Sequence, residues 1–145
     1  MQTRLTEKKS FEADLKQALR NGELEIFYQP QVNTITREIC GYEALLRWAH
    51  PIRGQVLPSE FIPVAENIGL IHELGEWVLR TACLEATRWP RPLKVAVNLS
   101  PVQFRSRNLI QSVITILSQS GLDPNRLELE ITESVLLDKN GRWTF

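Results

Sequence analysis

The sequence predicts an α/β fold in which a short antiparallel hairpin leads into parallel strands joined by crossover helices. Three observations carry this. Apolar and polar residues alternate at the two-residue period of strands between Leu24 and Tyr28; apolar residues recur at helical spacing through Ile71, Leu74 and Val78 and again through Ile110, Val113, Ile114 and Leu117; and from the second strand onward the order is strand, helix, strand, helix, strand. A barrel and an open sheet both satisfy that order. A complete eight-stranded barrel needs roughly 250 residues, so a chain of 145 residues holds about half of one.

The polar opening, residues 1–10, reads as a lead-in or linker, and the body begins near Phe11. Phe11, Leu15, Ala18 and Leu19 define an amphipathic helix that Asn21-Gly22 stops, because glycine accepts the left-handed conformation a helix end requires. Leu24, Ile26 and Tyr28 then alternate with Glu25, Phe27 and Gln29 until Pro30 removes a backbone donor. A turn follows at Asn33-Thr34. Ile39 to Trp48 reads as a second strand, antiparallel to the first because the connection is too short for a crossover. A loop with Pro51, Gly54 and Pro58 leads to a helix that Ser59 is expected to cap and that ends near Gly69. A longer helix follows, with Glu76 and Arg80 four residues apart as a surface pair, and Trp89-Pro90-Arg91-Pro92 breaks it. Lys94 to Ser100 forms a strand, a helix runs through Leu117 to Gly121, and Leu127 to Ser134 supplies the next strand.

With 43% hydrophobic and 23% charged residues, the composition is that of one soluble globular unit. Seventeen basic and seventeen acidic side chains give a formal net charge of +0, so no overall field draws a nucleic acid polymer or an anionic membrane, and an anionic ligand must be held locally. Cys40 and Cys83 lie in apolar stretches without CxxC spacing, which predicts buried free thiols and suits a reducing cytoplasm. No apolar run approaches the roughly 20 residues of a membrane span, and the start MQTRLTEKKS has no signal-peptide core. The expected location is cytoplasmic, with a membrane tether still compatible if it lies elsewhere in a parent protein.

Chemistry-bearing residues collect on the strands. Glu43, Leu45 and Arg47 share one face of the second strand, Asn98 lies near the C-terminal end of the third, and Glu130 faces away from the helices on the fourth. Each strand alone also fits a same-face ion pair or a solvated sheet face. Taken together, Glu43, Asn98 and Glu130 form an oxygen-rich set suited to a hard divalent cation, with Arg47 beside it as a phosphate clamp. His50 and His72 have no ligand spacing, and Trp48, Trp77 and Trp89 read as packing residues.

The run Tyr42-Glu43-Ala44-Leu45-Leu46-Arg47-Trp48 resembles the signature of the EAL domain family with its ExLxR extension. It stands in order with Tyr28-Gln29-Pro30, Leu57-Pro58-Ser59-Glu60-Phe61-Ile62-Pro63, Ala65-Glu66, Val97-Asn98-Leu99-Ser100 and Glu128-Leu129-Glu130-Ile131-Thr132-Glu133-Ser134. The resemblance covers about residues 11–137, leaving 138–145 as an atypical tail. It implies a modified (β/α)₈ TIM-like barrel whose first strand is antiparallel, of which about half is present. It also implies a cyclic di-GMP phosphodiesterase that opens the ring to linear pGpG with two divalent metals, Mg2+ or Mn2+, Ca2+ being inhibitory.

By that resemblance Glu43, Asn98 and Glu130 are metal ligands, Arg47 and Gln29 contact substrate, and Glu133 supports the loop over the metals. The family's Asp-Asp-Phe-Gly-Thr-Gly segment, a later Lys and an EGVE-type Glu have no counterpart in the sequence, whose end carries Asp138, Trp143 and Phe145. The expectation is therefore a truncated domain, inactive as a single chain. The alternative is a degenerate module that binds cyclic di-GMP or a protein without catalysis. An open half barrel predicts self-association, and the family's usual companions would be sensor or GGDEF domains in a parent protein.

Overall fold

Asn33 begins the turn that sets the first pairing, its side-chain oxygen accepting from the backbone N–H groups of Ile35 and Thr36, with Arg37 in the left-handed region at φ 61°. In the computed structural model, which describes residues 2–131, that turn joins β1 (Leu24–Val32) to β2 (Ile39–His50) as an antiparallel pair running from Leu24 opposite Trp48 to Val32 opposite Ile39. β1 continues past Pro30, which sits opposite Tyr42, because an outer strand tolerates a residue without an N–H.

Helix α1 (Gln2–Ala18) precedes the hairpin. The helix starts well before Phe11, so the expected lead-in is helical; residues 3–10 are exposed, which is why they lack an apolar period, and only the later turns pack. After β2 come β3 (Gly54–Val56), α2 (Pro58–Asn67), α3 (Ile71–Thr87), β4 (Lys94–Leu99), α4 (Pro101–Phe104), α5 (Leu109–Ser120), a 3-10 turn at Pro124–Arg126, and β5 (Leu127–Ile131). The sheet order is β1-β2-β4-β5, with β2–β4 and β4–β5 parallel. This is the hairpin-then-parallel arrangement expected of an α/β fold, and the described residues form a partial sheet.

Several local expectations are corrected. Gly54 and Val56 lie in a short strand rather than a loop. Leu57, not Ser59, is the N-cap of α2, because Pro58 takes the first helical turn where its missing N–H costs nothing. Glu76 is bonded by Ser112 Oγ at 3.0 Å, tying α3 to α5, instead of pairing with Arg80. Cys83 is buried as expected, but Cys40 is exposed at the turn end of the hairpin, where its thiol donates to the Gln31 carbonyl at 3.3 Å.

Two apolar clusters cover one face of the sheet. Val78, Leu79, Ala82, Cys83 and Ala86 of α3 pack on Ala44, Val95, Val97 and Leu99, with Ile116 and Leu122 closing the far side. Leu15 and Ala18 of α1, Phe61 and Ala65 of α2, and Ile71 and Leu74 of α3 surround Trp48. Trp48 is 0% exposed, donates from Nε1 to Glu23 at 3.0 Å and meets the Phe11 and Phe61 rings edge-on. Trp77 and Trp89 pack partly buried against this core, in keeping with the packing role expected of the tryptophans. No helix among the described residues is long and apolar enough to cross a membrane.

Candidate functional site

With the even-numbered residues of β2 turned toward the helices, Glu43, Leu45 and Arg47 emerge on the opposite face. Register brings the other strands into line: Gln29 lies opposite Glu43, Glu43 opposite Ala96, and Asn98 opposite Glu130. Asn98 Nδ2 donates to Glu43 Oε2 at 2.9 Å, linking residues 55 apart in the chain. The Glu130 carboxyl is held above its ordinary value, first by burial, then by the Glu43 and Glu128 carboxylates. Glu128 itself pairs with Lys94 at 3.3 Å.

Two carboxylates beside a carboxamide are hard oxygen donors, and a divalent cation between them would offset both the burial and the carboxylate repulsion that raise Glu130. The donor set therefore fits a hard divalent cation. No three His, Cys, Asp or Glu side chains converge among the described residues, so the amide oxygen of Asn98 is needed to complete a three-residue set.

Arg47 is exposed four residues beyond Glu43 along β2. Its guanidinium carbon stands 5.0 Å from the centre of the Phe27 ring. No ion pair joins it to Glu43 among the described residues, so the same-face ion pair that the strand alone permits is not formed. Beside it lies a cavity of about 370 Å³, lined by apolar groups such as Ile62, Leu74 and Val78 and by Arg47, Asn98 and Ser100. The opening has a topological cause. One edge of β2 is bonded to β4 over Gly41–Ala44 and to β3 over Trp48–His50, so neither ladder covers Leu45–Arg47 on that edge.

The wall past β4 is built by a capping box that the sequence reading missed. Ser100 Oγ accepts from the Gln103 N–H and Gln103 Oε1 accepts from the Ser100 N–H, starting α4 at Pro101. The S-x-x-Q spacing signals it. Gln103 is buried against Gly75 of α3, where a Cβ would collide with its side-chain amide.

Gln29, Glu43, Arg47, Asn98 and Glu130 thus share one face, while Glu133 and the tail residues Asp138, Trp143 and Phe145 lie outside the described residues. His50 is apart from this face. Its Nδ1 accepts from the N–H groups of Ile52 and Arg53 and its Nε2 lies 3.4 Å from Asp14, so it fastens the β2–β3 turn to α1.

Comparison with known families decides the wider assignment: the EAL domain model matches residues 12–144. The chain belongs to the EAL domain family. Among the relatives of this EAL chain, an uncharacterized signaling protein of Caulobacter vibrioides is 49% identical over 136 residues, covering 94% of the chain and 17% of that protein. The bifunctional diguanylate cyclase/cyclic di-GMP phosphodiesterase MucR of Pseudomonas aeruginosa is 43% identical over 128 residues, covering 86% of the chain and 19% of MucR. Among solved structures, the PaMucR phosphodiesterase in complex with c-di-GMP matches at a TM-score of 0.82 and 42% identity, over 88% of the chain and 53% of that structure. The EAL chain thus spans under a fifth of these two curated relatives and about half of the solved domain.

Proposed function

We propose that these residues form one side of a cyclic di-GMP phosphodiesterase site, in a domain that hydrolyses the dinucleotide to linear pGpG. The observation that carries this reading is the Glu43–Asn98 hydrogen bond of 2.9 Å with Glu130 opposite Asn98, because it gathers a hard-metal donor set at one point of the sheet. Glu43, Asn98 and Glu130 would hold Mg2+ or Mn2+, which when bound supplies Lewis acidity toward a phosphodiester. Arg47 offers in-plane N–H donors to a phosphate oxygen, and Gln29, opposite Glu43, offers an amide to the same ligand. The neighbouring cavity, apolar with a few convergent polar groups, is suited to a ring system of that ligand. A relative of 43% identity named as a cyclic di-GMP phosphodiesterase supports the choice of substrate.

A second reading is a module that binds cyclic di-GMP without hydrolysing it, and it is favoured by the Arg47 guanidinium, which lies over the Phe27 ring and can meet a phosphate without a metal. Calorimetric titration of the chain with cyclic di-GMP in Ca2+, beside a Glu43→Ala/Arg47→Ala double variant, tests the site. Saturable binding that the double variant loses is expected. Binding that persists in the variant would place the ligand elsewhere. Exchange of Ca2+ for Mn2+, with chromatography for pGpG, then separates hydrolysis from binding alone.

A further inference from the structure

Arg47 lies directly across from Glu25 on β1, yet no ion pair joins them among the described residues. The guanidinium instead lies over the ring of Phe27, which is paired with Leu45 and is therefore Arg47's diagonal neighbour, within reach of a long side chain. Phe27 is 50% exposed on the outer strand and belongs to neither apolar cluster. Packing among the described residues does not account for a large aromatic ring at this position.

The two alternatives for Arg47 have different consequences for a ligand. A carboxylate partner occupies the in-plane N–H groups and cancels the positive charge that an anion would meet. An aromatic partner engages the π-face, restricts the long side chain and leaves the N–H fork free. We infer that Phe27 is a positioning residue, which holds the Arg47 guanidinium over its ring with the N–H fork and the charge available to a phosphodiester oxygen. The inference rests on the reading of Arg47 as a phosphate contact.

Ring and fork act as a unit, so the test is a double-variant cycle on the full chain. Cyclic di-GMP in Ca2+ is titrated into the unsubstituted chain, Phe27→Leu, Phe27→Tyr, Arg47→Ala and Phe27→Leu/Arg47→Ala. Phe27→Leu keeps an apolar strand residue and is expected to weaken binding about two- to fivefold, the equivalent of a solvent-exposed cation–π contact. Phe27→Tyr restores it. Arg47→Ala is expected to weaken binding at least about tenfold, as for a lost charged hydrogen bond, and adding Phe27→Leu to it should cost nothing more.

A Phe27→Leu loss that is unchanged without Arg47 overturns the inference, as does a Phe27→Leu variant that binds like the parent. The ring-current shift of the Arg47 side-chain protons, read by NMR without ligand, reports the stack separately. A shift present in the parent and in Phe27→Tyr but absent in Phe27→Leu, together with Arg47→Ala binding normally, would sink the phosphate reading of Arg47 while showing that the stack exists. Absence of the shift in the parent sinks the stack itself.

Discussion

On the face of β2 turned toward the helices, Ala44 and Trp48 are 4% and 0% exposed, while on the other face Glu43 and Leu45 are half-buried and Arg47 is open to solvent. The alternation of one strand thus divides two kinds of work. The helix-facing residues are fixed by volume and area, since Ala44 is covered by side chains of α3 and Trp48 is enclosed by side chains of α1, α2 and α3. The opposite face is organised by polar contacts, in the Glu43–Asn98 bond, the Lys94–Glu128 pair and the Arg47–Phe27 stack. Stability is concentrated on one side and ligand chemistry on the other, so substitutions on adjacent residues should fail in different ways.

The largest effect is expected at Trp48. Truncation to alanine removes a ring enclosed by Phe11 and Phe61 and leaves Glu23 without the indole donor, at a cost of about 3–5 kcal/mol. Urea denaturation measures it, and Glu43→Gln, one face away, should move the midpoint far less while abolishing divalent-cation binding. Equal losses at the two positions would dissolve the contrast between the faces. Gly41 sharpens it, because it is a site of steric intolerance in line with the polar residues. A Cβ there would stand 2.7 Å from the Lys94 carbonyl oxygen, within the parallel ladder that aligns Glu43 with β4. Gly41→Ala is expected to destabilise by about 1–3 kcal/mol and to weaken ligand binding as well, since β4 must shift and carry Asn98 away from Glu43.

Much of this division was legible in the sequence. Period-two alternation assigned Glu43, Arg47, Asn98 and Glu130 to the face away from the helices, and helical spacing identified the elements that cover the other. The contacts within the polar face were not legible, because they depend on register. That Asn98 bonds Glu43, and that Arg47 leans on Phe27 instead of Glu25, follows only once strands 55 and 20 residues apart are aligned. Cys40 was misjudged since its apolar neighbours Ile39 and Tyr42 report strand propensity, not enclosure. Residues 3–10 were misjudged in the converse way: a helix without an apolar stripe leaves no periodic mark. The start of α4 was signalled by Ser100 and Gln103, but a helix of four residues offers too little periodicity to draw attention to its cap.

The smallest expected effect tests why the polar face tolerates its own charges. Glu130 is raised by burial, then by Glu43 and Glu128, so folding favours its protonated form. A carboxyl raised in this way contributes stability that is full below its unfolded value and is lost as pH rises through its folded value. Glu130→Gln carries no charge at any pH and should escape that loss. Without divalent cations the variant is expected to be slightly more stable than the parent near neutral pH, with the advantage shrinking as the solution is acidified into the carboxylate range. Added Mn2+ should reverse the order, because a cation that binds the folded parent stabilises it by mass action and the variant has lost a charged ligand. Urea midpoints taken across that pH range, with and without Mn2+, measure both arms. A variant less stable than the parent in the absence of metal would mean that the charge of Glu130 is compensated within the protein. An equal gain from Mn2+ in both chains would remove Glu130 from the metal set and leave its position opposite Asn98 as sheet packing alone.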